Sequence, residues 1–363
     1  MRENAVRLVL LATGFAAQYR AMRCAAALGA EVHVLGAGPA RSLALSRYCK
    51  SFRSFAFNVA DEGAAARLDR VAKDLSVDRV LPADLTATQF LARVRPHLNT
   101  ACYPLSDPQT IEALGSKDKF MALCRRLGVL HPEGTVLADR LALLEALQAG
   151  RIPLPAMLKP IDRAGGIGVV QIDQSNAMEM AARIDYAPIL AQQFIAGIDR
   201  CITVFCRDGR IRKQVVYEHH RGHFRFLEDD ALSRVVAEIA STLNLNGVIN
   251  FDARIDAEGR IWMIECNPRF YFNMDVAMVA GLNFADWNAM SAGIQSVADQ
   301  EIRIPNAFAR AMLHWKRASS KDLKMLRHWL KDPLMFALVA IGYQRRWHVP
   351  ILESVMTRHK CSI

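Results

Sequence analysis

The sequence predicts a chain of mixed α/β and α+β architecture, with a doubly wound N-terminal domain ahead of a strand-rich second unit. Three observations predict it. Residues 6–11, 31–35 and 79–82 are short apolar runs that read as strands, separated by helical stretches over 16–28 and 61–75. A β-α-β order of this kind builds a parallel, doubly wound sheet. Residues 156–267 instead carry short strands broken by glycine-bearing turns and end in a hairpin. Beyond about residue 295 the character changes to a basic, partly helical extension. The expected organisation is therefore 1–110, 111–295 and 296–363.

At 363 residues, with 52% apolar and 23% charged side chains, the chain can bury more than one core and is not of disordered composition. Its eight cysteines (24, 49, 102, 124, 201, 206, 266 and 361) form no Cys-x-x-Cys pair. That spacing disfavours a zinc site or a disulfide framework and fits reduced thiols in a cytoplasm. The apolar stretch 6–12 is too short for a signal peptide core followed by a cleavage site, and no run approaches the ~20 residues of a membrane span. The net charge of +10 is concentrated at the end. Residues 303–363 hold twelve Lys/Arg against three acids, an excess of nine. The remainder is close to neutral, so no nucleic-acid partner is expected.

Each element follows from local signals. The turn after the first strand, Ala12-Thr13-Gly14-Phe15-Ala16, lacks the Gly-x-Gly-x-x-Gly that lets a backbone approach a pyrophosphate, so no dinucleotide site is expected there. Ser116 opens a helix over Lys117–Leu127, which Gly128 stops. Strands are expected at Ala156–Pro160, 169–172, 189–194, 201–207 and 211–217, then a helix at 231–243.

The most informative stretch is 247–269, Gly-Val-Ile-Asn-Phe-Asp-Ala-Arg-Ile-Asp-Ala-Glu-Gly-Arg-Ile-Trp-Met-Ile-Glu-Cys-Asn-Pro-Arg. Residues 248–254 and 260–267 read as strands joined by Asp256-Ala257-Glu258-Gly259. Alternate residues of a strand share a face, so Glu265 and Asn267 point the same way. A symmetric turn puts Asp252 opposite Met263 and diagonal to Glu265, roughly 7–8 Å apart at the backbone. Two carboxylates and an amide so arranged suit Mg²⁺, which prefers a few oxygen ligands plus substrate phosphates. Next comes Met157-Leu-Lys159-Pro-Ile-Asp-Arg-Ala-Gly165-Gly166-Ile-Gly168. A strand lysine followed by a glycine loop makes a phosphate clamp, because glycine lets backbone N–H groups approach the oxygens and the ammonium supplies a point charge. Its plain alternative is a Gly-rich hairpin.

Lys119, Lys159-Pro with Gly165-Gly166-x-Gly168, Gln192-Gln-Phe-Ile-x-Gly197-x-Asp199 and Asp252…Glu265-x-Asn267-Pro-Arg269 occur in an order that resembles the ATP-grasp superfamily. The resemblance covers roughly 110–290, and the preceding segment is similar to that family's usual N-terminal domain. It implies a two-lobed fold that pinches Mg-ATP, with Mn²⁺ as an alternative metal. By the same resemblance, Lys119 and Lys159 contact phosphates, and Gly165, Gly166 and Gly168 cover them. Gln192 and the backbone of Phe194 and Ile195 meet adenine, and Asp199 accepts from the ribose. Asp252, Glu265 and Asn267 hold the metal, and Arg269 faces the transferred phosphoryl group or the acyl-phosphate. Gln192 and Asp199 depart from the acidic residue and the Glu that the family often carries. Lys119 as a solvated lysine, Asp199 as the end of a turn and Arg269 as a salt-bridge partner are the plain alternatives.

The resemblance implies an ATP-dependent ligase joining a small-molecule carboxylate to an amine, or less often a thiol, through an acyl-phosphate. It lies nearest the carbamoyl-phosphate-synthase-like branch. With one ATP-grasp unit and no glutaminase, carbamoyl phosphate synthesis itself is not expected, nor is biotin carboxylation. A kinase and a non-catalytic ATP-binding module are the rival readings. Glu218-His-His-Arg-Gly-His-Phe-Arg225 either lines the acceptor site or is a solvated hairpin tip. The basic helical pattern over 321–331 fits an anionic membrane surface, a partner, or packing on its own domain.

Overall fold

The structure, a computed structural model, describes residues 6–58, 60–161, 163, 166–271, 273–286, 293–306 and 318–340. Strands β1 (Arg7–Ala12), β2 (Glu31–Gly36), β3 (Cys49–Ser54), β4 (Arg79–Pro82) and β5 (Ala101–Cys102) form an all-parallel sheet in the order β3-β2-β1-β4-β5. β1 and β2 are buried almost end to end. Their unbroken Val/Leu runs reflect a sheet covered on both faces. The edge strand β3, Cys-Lys-Ser-Phe-Arg-Ser, escaped the sequence reading because a half-exposed polar edge carries no apolar run.

Strand order reverses between β1 and β4, so the turns that follow them open onto one crevice, the usual place for a ligand in such sheets. Asp84 ties these turns together. It caps helix Leu85–Val94 by accepting from Ala87 N–H at 2.9 Å, and its other oxygen accepts from Thr13 N–H at 2.7 Å and Gln18 Nε2 at 2.9 Å.

Two further sheets follow among the described residues. β6 (Gly134–Leu137), β7 (Ala156–Pro160), β8 (Val170–Ile172) and β9 (Ile189–Gln193) make an antiparallel sheet in the order β6-β9-β7-β8. β10 (Ile198–Arg207), β11 (Arg210–His220), β12 (His223–Leu227), β13 (Gly247–Ile255) and β14 (Ile261–Asn267) build the larger one. Its order is β14-β13-β10-β11-β12-β16, with β16 at Gln300–Arg303, while β15 (Gln295–Ser296) pairs with β11. The β10–β11 and β11–β12 hairpins turn on Asp208-Gly209 and Arg221-Gly222, all four with positive φ, the conformation that matches the twist of paired strands. The Glu218–Arg225 stretch is thus the tip of a hairpin.

β16 belongs to the stretch expected as an extension, and it is hydrogen-bonded into the sheet beside β12. Helix Ser320–Leu330 begins with a capping box between Ser319 and Asp322 and buries Met325 and Trp329. The Trp329 ring lies 4.4 Å from the Arg23 guanidinium and 5.1 Å from that of Arg20, and Arg20 pairs with buried Asp275 at 2.6 Å. Lys321 and Lys324 donate to the carbonyls of Ala280 and Val279 at the end of helix Met274–Ala280, where cations suit the helix dipole. Of the three readings of this basic helix, the structure shows packing on its own chain. Among the described residues no helix is long and apolar enough to cross a membrane.

Candidate active site

The β13–β14 hairpin sets the two carboxylates face to face. Asp256 builds its turn, accepting from Glu258 N–H, Arg260 N–H and the Trp262 indole N–H, with Gly259 at φ +76°. From Ile255↔Ile261 the register runs symmetrically to Ala253↔Met263, then shifts at a bulge so that Asp252 pairs with Glu265 and Asn250 with Asn267. The sequence-based expectation of Asp252 opposite Met263 is therefore corrected. The turn sets Ile255 opposite Ile261, one residue off the expected register, and the bulge then leaves Ile264 without a partner, so Asp252 lies directly across from Glu265 instead of diagonal to it.

Opposed carboxylates repel, and this pair is partly withdrawn from water. Burial, then the neighbouring Glu265 charge, push Asp252 up to about 6. The Asn267 amide nitrogen lies 3.4 Å from Asp252 Oδ2 and 3.2 Å from Glu265 Oε1, while its oxygen accepts from Arg269 Nη2 at 2.9 Å. Asn267 thus presents NH₂ to the carboxylates, and its amide must turn over to join them as a ligand. Burial pulls the Arg269 guanidinium below its ordinary range, against the charges of Glu265, Asp252 and Asp84.

Two lysines complete the charge balance. Lys159 leaves β7 almost fully buried and donates to Gln192 Oε1 at 2.7 Å, and burial lowers it to about 8. Lys117 lies 3.9 Å from Glu265 Oε2 and donates at 2.6 Å to the Arg163 carbonyl of the glycine loop. Lys119, the expected phosphate contact, instead pairs with Glu112 on the outside of its helix. Two residues advance about 200° around a helix, so only one of the two lysines can face the carboxylates. That one is Lys117, which the sequence reading missed. In the loop, Gly166 and Gly168 take φ +73° and +79°, and Tyr186 OH donates to the Gly168 carbonyl at 2.7 Å. Gly165 lies outside the described residues.

The family model described as ATP-grasp in the biosynthetic pathway with Ter operon matches residues 185–315, which contain both carboxylates. The carbamoyl phosphate synthase large chain of Methanosarcina acetivorans is 27% identical over 187 residues, 45% of this chain and 17% of that protein. The C-terminal section of the Methanopyrus kandleri large chain is 28% identical over 187 residues, 45% of this chain and 34% of that protein. The match thus spans about a sixth to a third of these relatives. In fold, carboxyaminoimidazole ribonucleotide synthase of Aspergillus clavatus, solved with ATP, aligns with TM-score 0.62 at 17% identity, covering 82% of this chain and 80% of that one. L-amino acid ligase of Bacillus licheniformis gives 0.56 at 17%, covering 78% and 73%. Residues 185–315 thus carry the match to an ATP-grasp family model, and the fold over about four fifths of the chain is similar to that of these enzymes.

β7 and β9 carry Lys159 and Gln192, and Lys159 lies within electrostatic reach of Glu265 and Asp252 on the β13–β14 hairpin. The connector between β9 and β10 runs from Phe194 to Gly197, just ahead of Asp199. Arg254, whose role the sequence reading also missed, clamps it by stacking 5.5 Å from the Phe194 ring, donating to Ile195 O at 2.9 Å and pairing with Asp199 at 2.6 Å. Asp199 is otherwise exposed. Gln192 is buried, and besides meeting Lys159 its amide donates to Pro132 O at 3.0 Å. Gly197 has φ +153°, and a Cβ there would lie 2.1 Å from Ile255 O. Gly197→Ala is accordingly expected to destabilise the fold by about 3 kcal/mol, read as a lower urea midpoint. An unchanged midpoint would show that the connector sits elsewhere.

Proposed function

We propose that this protein is an ATP-dependent ligase that activates a small-molecule carboxylate as an acyl-phosphate and passes the acyl group to an amine. In this reading residues 1–110 are the N-terminal domain, 111–295 the ATP-grasp unit and 296–363 an extension. The observation that carries it is the opposed Asp252–Glu265 pair ringed by Lys117, Lys159 and Arg269. These residues fit a divalent cation. The two carboxylates face one another with the Asn267 amide within reach of both, an all-oxygen donor set of the kind Mg²⁺ takes once that amide turns over. A bound Mg²⁺ would neutralise the charge that develops on the phosphate oxygens during transfer.

The chain's own residues do the rest. Lys159 and Lys117 hold the triphosphate from the glycine-loop side, and the loop excludes water. Arg269 aligns the attacking carboxylate with the γ-phosphoryl group and stabilises the acyl-phosphate. Asp84, at the crevice above β1 and β4, lies within electrostatic reach of Arg269. Such positioning and charge neutralisation is most of what phosphoryl transfer needs.

A panel of carboxylates with ATP, Mg²⁺ and hydroxylamine tests the proposal. Hydroxylamine captures acyl-phosphates as coloured hydroxamates, and ADP and phosphate should appear in equal amounts for the accepted acid. A stable phosphorylated product without free phosphate would instead select a kinase. ADP binding without turnover on any acid would indicate a binding module.

The lowered Lys159 adds a pH signature. The ammonium is charged below about 8 in the free protein and neutral above it. ATP favours the charged form, so affinity is flat below pH 8 and falls above it, by up to about tenfold per unit. Lys159→Arg, which stays charged, should lose this step in an equilibrium titration. A wild-type affinity flat from pH 7 to 9.5 would remove Lys159 from the phosphate site.

A further inference from the structure

Asn250 takes no part in the mechanism above, yet it is one of the few buried polar side chains in the larger sheet, 4% exposed and hydrogen-bonded at both ends of its amide. Its Nδ2 donates to Asp252 Oδ1 at 2.9 Å. Its oxygen accepts from Thr203 Oγ1 at 2.8 Å and from Tyr217 OH at 2.9 Å. The amide cannot turn over, because a carboxylate accepts and never donates when ionised, so the NH₂ must face Asp252. Tyr217 reaches Asn250 from β11 across the whole width of β10, a span of about 10 Å. The Tyr217 ring is itself held, stacked 5.8 Å from Tyr271 and within 6.3 Å of Phe226. Tyr271 follows Arg269 by two residues. One aromatic frame therefore touches both the carboxylate hairpin, through Asn250, and the turn that carries Arg269.

We infer that Asn250 is a positioning residue: braced by the Tyr217 and Thr203 hydroxyls, it fixes the Asp252 carboxylate in the orientation that meets a divalent cation. This rests on the reading of Asp252 as a metal ligand. Groups that orient metal ligands typically matter at the level of about ten- to a hundredfold in affinity, and each bond here is short and shielded from water. Sequence alone gives the alternation of Asn250 with Asp252 but not the two hydroxyls, which come from other strands.

The test is Mn²⁺ binding to the nucleotide-free protein, followed by electron paramagnetic resonance, so that turnover is not needed. Asn250→Ala is expected to weaken Mn²⁺ about tenfold or more while leaving metal-free ATP affinity unchanged. Tyr217→Phe, which keeps the ring and removes only the hydroxyl, should weaken Mn²⁺ about threefold. Thr203→Ser should bind as wild type and Thr203→Val should not, a rescue that a purely packing role for Thr203 would not give. If Asp252→Asn loses Mn²⁺ while Asn250→Ala and Tyr217→Phe keep wild-type affinity, the positioning role is wrong. If Asp252→Asn also binds normally, the metal assignment beneath it fails as well. Should Asn250→Ala not fold, Tyr217→Phe decides on its own.

Discussion

Glu265→Gln is expected to reduce turnover of the accepted acid by on the order of a thousandfold, equivalent to about 4 kcal/mol of transition-state stabilisation. The substitution keeps the shape of the side chain and removes one of the two charges in the opposed pair. It also leaves Lys117, Lys159 and Arg269 facing a single carboxylate, Asp252, so ATP should still bind through its phosphates. The expected split is therefore a collapse in kcat with ATP affinity within about threefold of wild type. Steady-state ADP release alongside equilibrium ATP titration measures both. Unchanged turnover in Glu265→Gln would sink the assignment of the hairpin to the chemistry.

The second large effect is a contrast between neighbours. Lys117→Met should cost on the order of a hundredfold in kcat/KM, about 2.7 kcal/mol. It removes the ammonium that lies 3.9 Å from Glu265 and holds the glycine loop through the Arg163 carbonyl. Lys119→Met should change kcat/KM by less than about twofold, because its ammonium pairs with Glu112 in solvent. Measured on ADP release, the reverse ranking would mean that the helix Lys117–Leu127 rotates when nucleotide enters.

That contrast shows where the sequence stops being readable. Strand–helix alternation, the turn over 256–259 and the Lys117–Leu127 helix with its Gly128 stop are local signals, and the structure reproduces them. The choice between Lys117 and Lys119 is not local, since it depends on which face of the helix packs on the larger sheet. The same holds for the bulge beside Asp252. Nothing in the residues 247–269 fixes the register that leaves the turn or where one strand carries an extra residue, and together these decide whether Asp252 faces Met263, Ile264 or Glu265. Arg254 and Asn250 were hidden for a third reason, since their partners are Phe194 and Asp199 in one case and Thr203 and Tyr217 in the other. Such contacts join residues 33 to 55 or more positions apart, and no periodicity reports them. The basic end of the chain misled differently. Its charge pattern is equally compatible with a surface, a partner or a domain, and the contacts of Trp329 with Arg23 and of Lys321 and Lys324 with helix Met274–Ala280 separate these.

The central claim is that a substrate carboxylate attacks the γ-phosphoryl group in this crevice. The acid selected by the hydroxamate panel, labelled with ¹⁸O in both carboxylate oxygens, tests it most directly. After turnover with ATP and amine, mass spectrometry of the released phosphate should find one ¹⁸O atom, carried over from the acyl-phosphate. Phosphate that contains no label would mean that the carboxylate never bonded to phosphorus, and the ligase reading would fall.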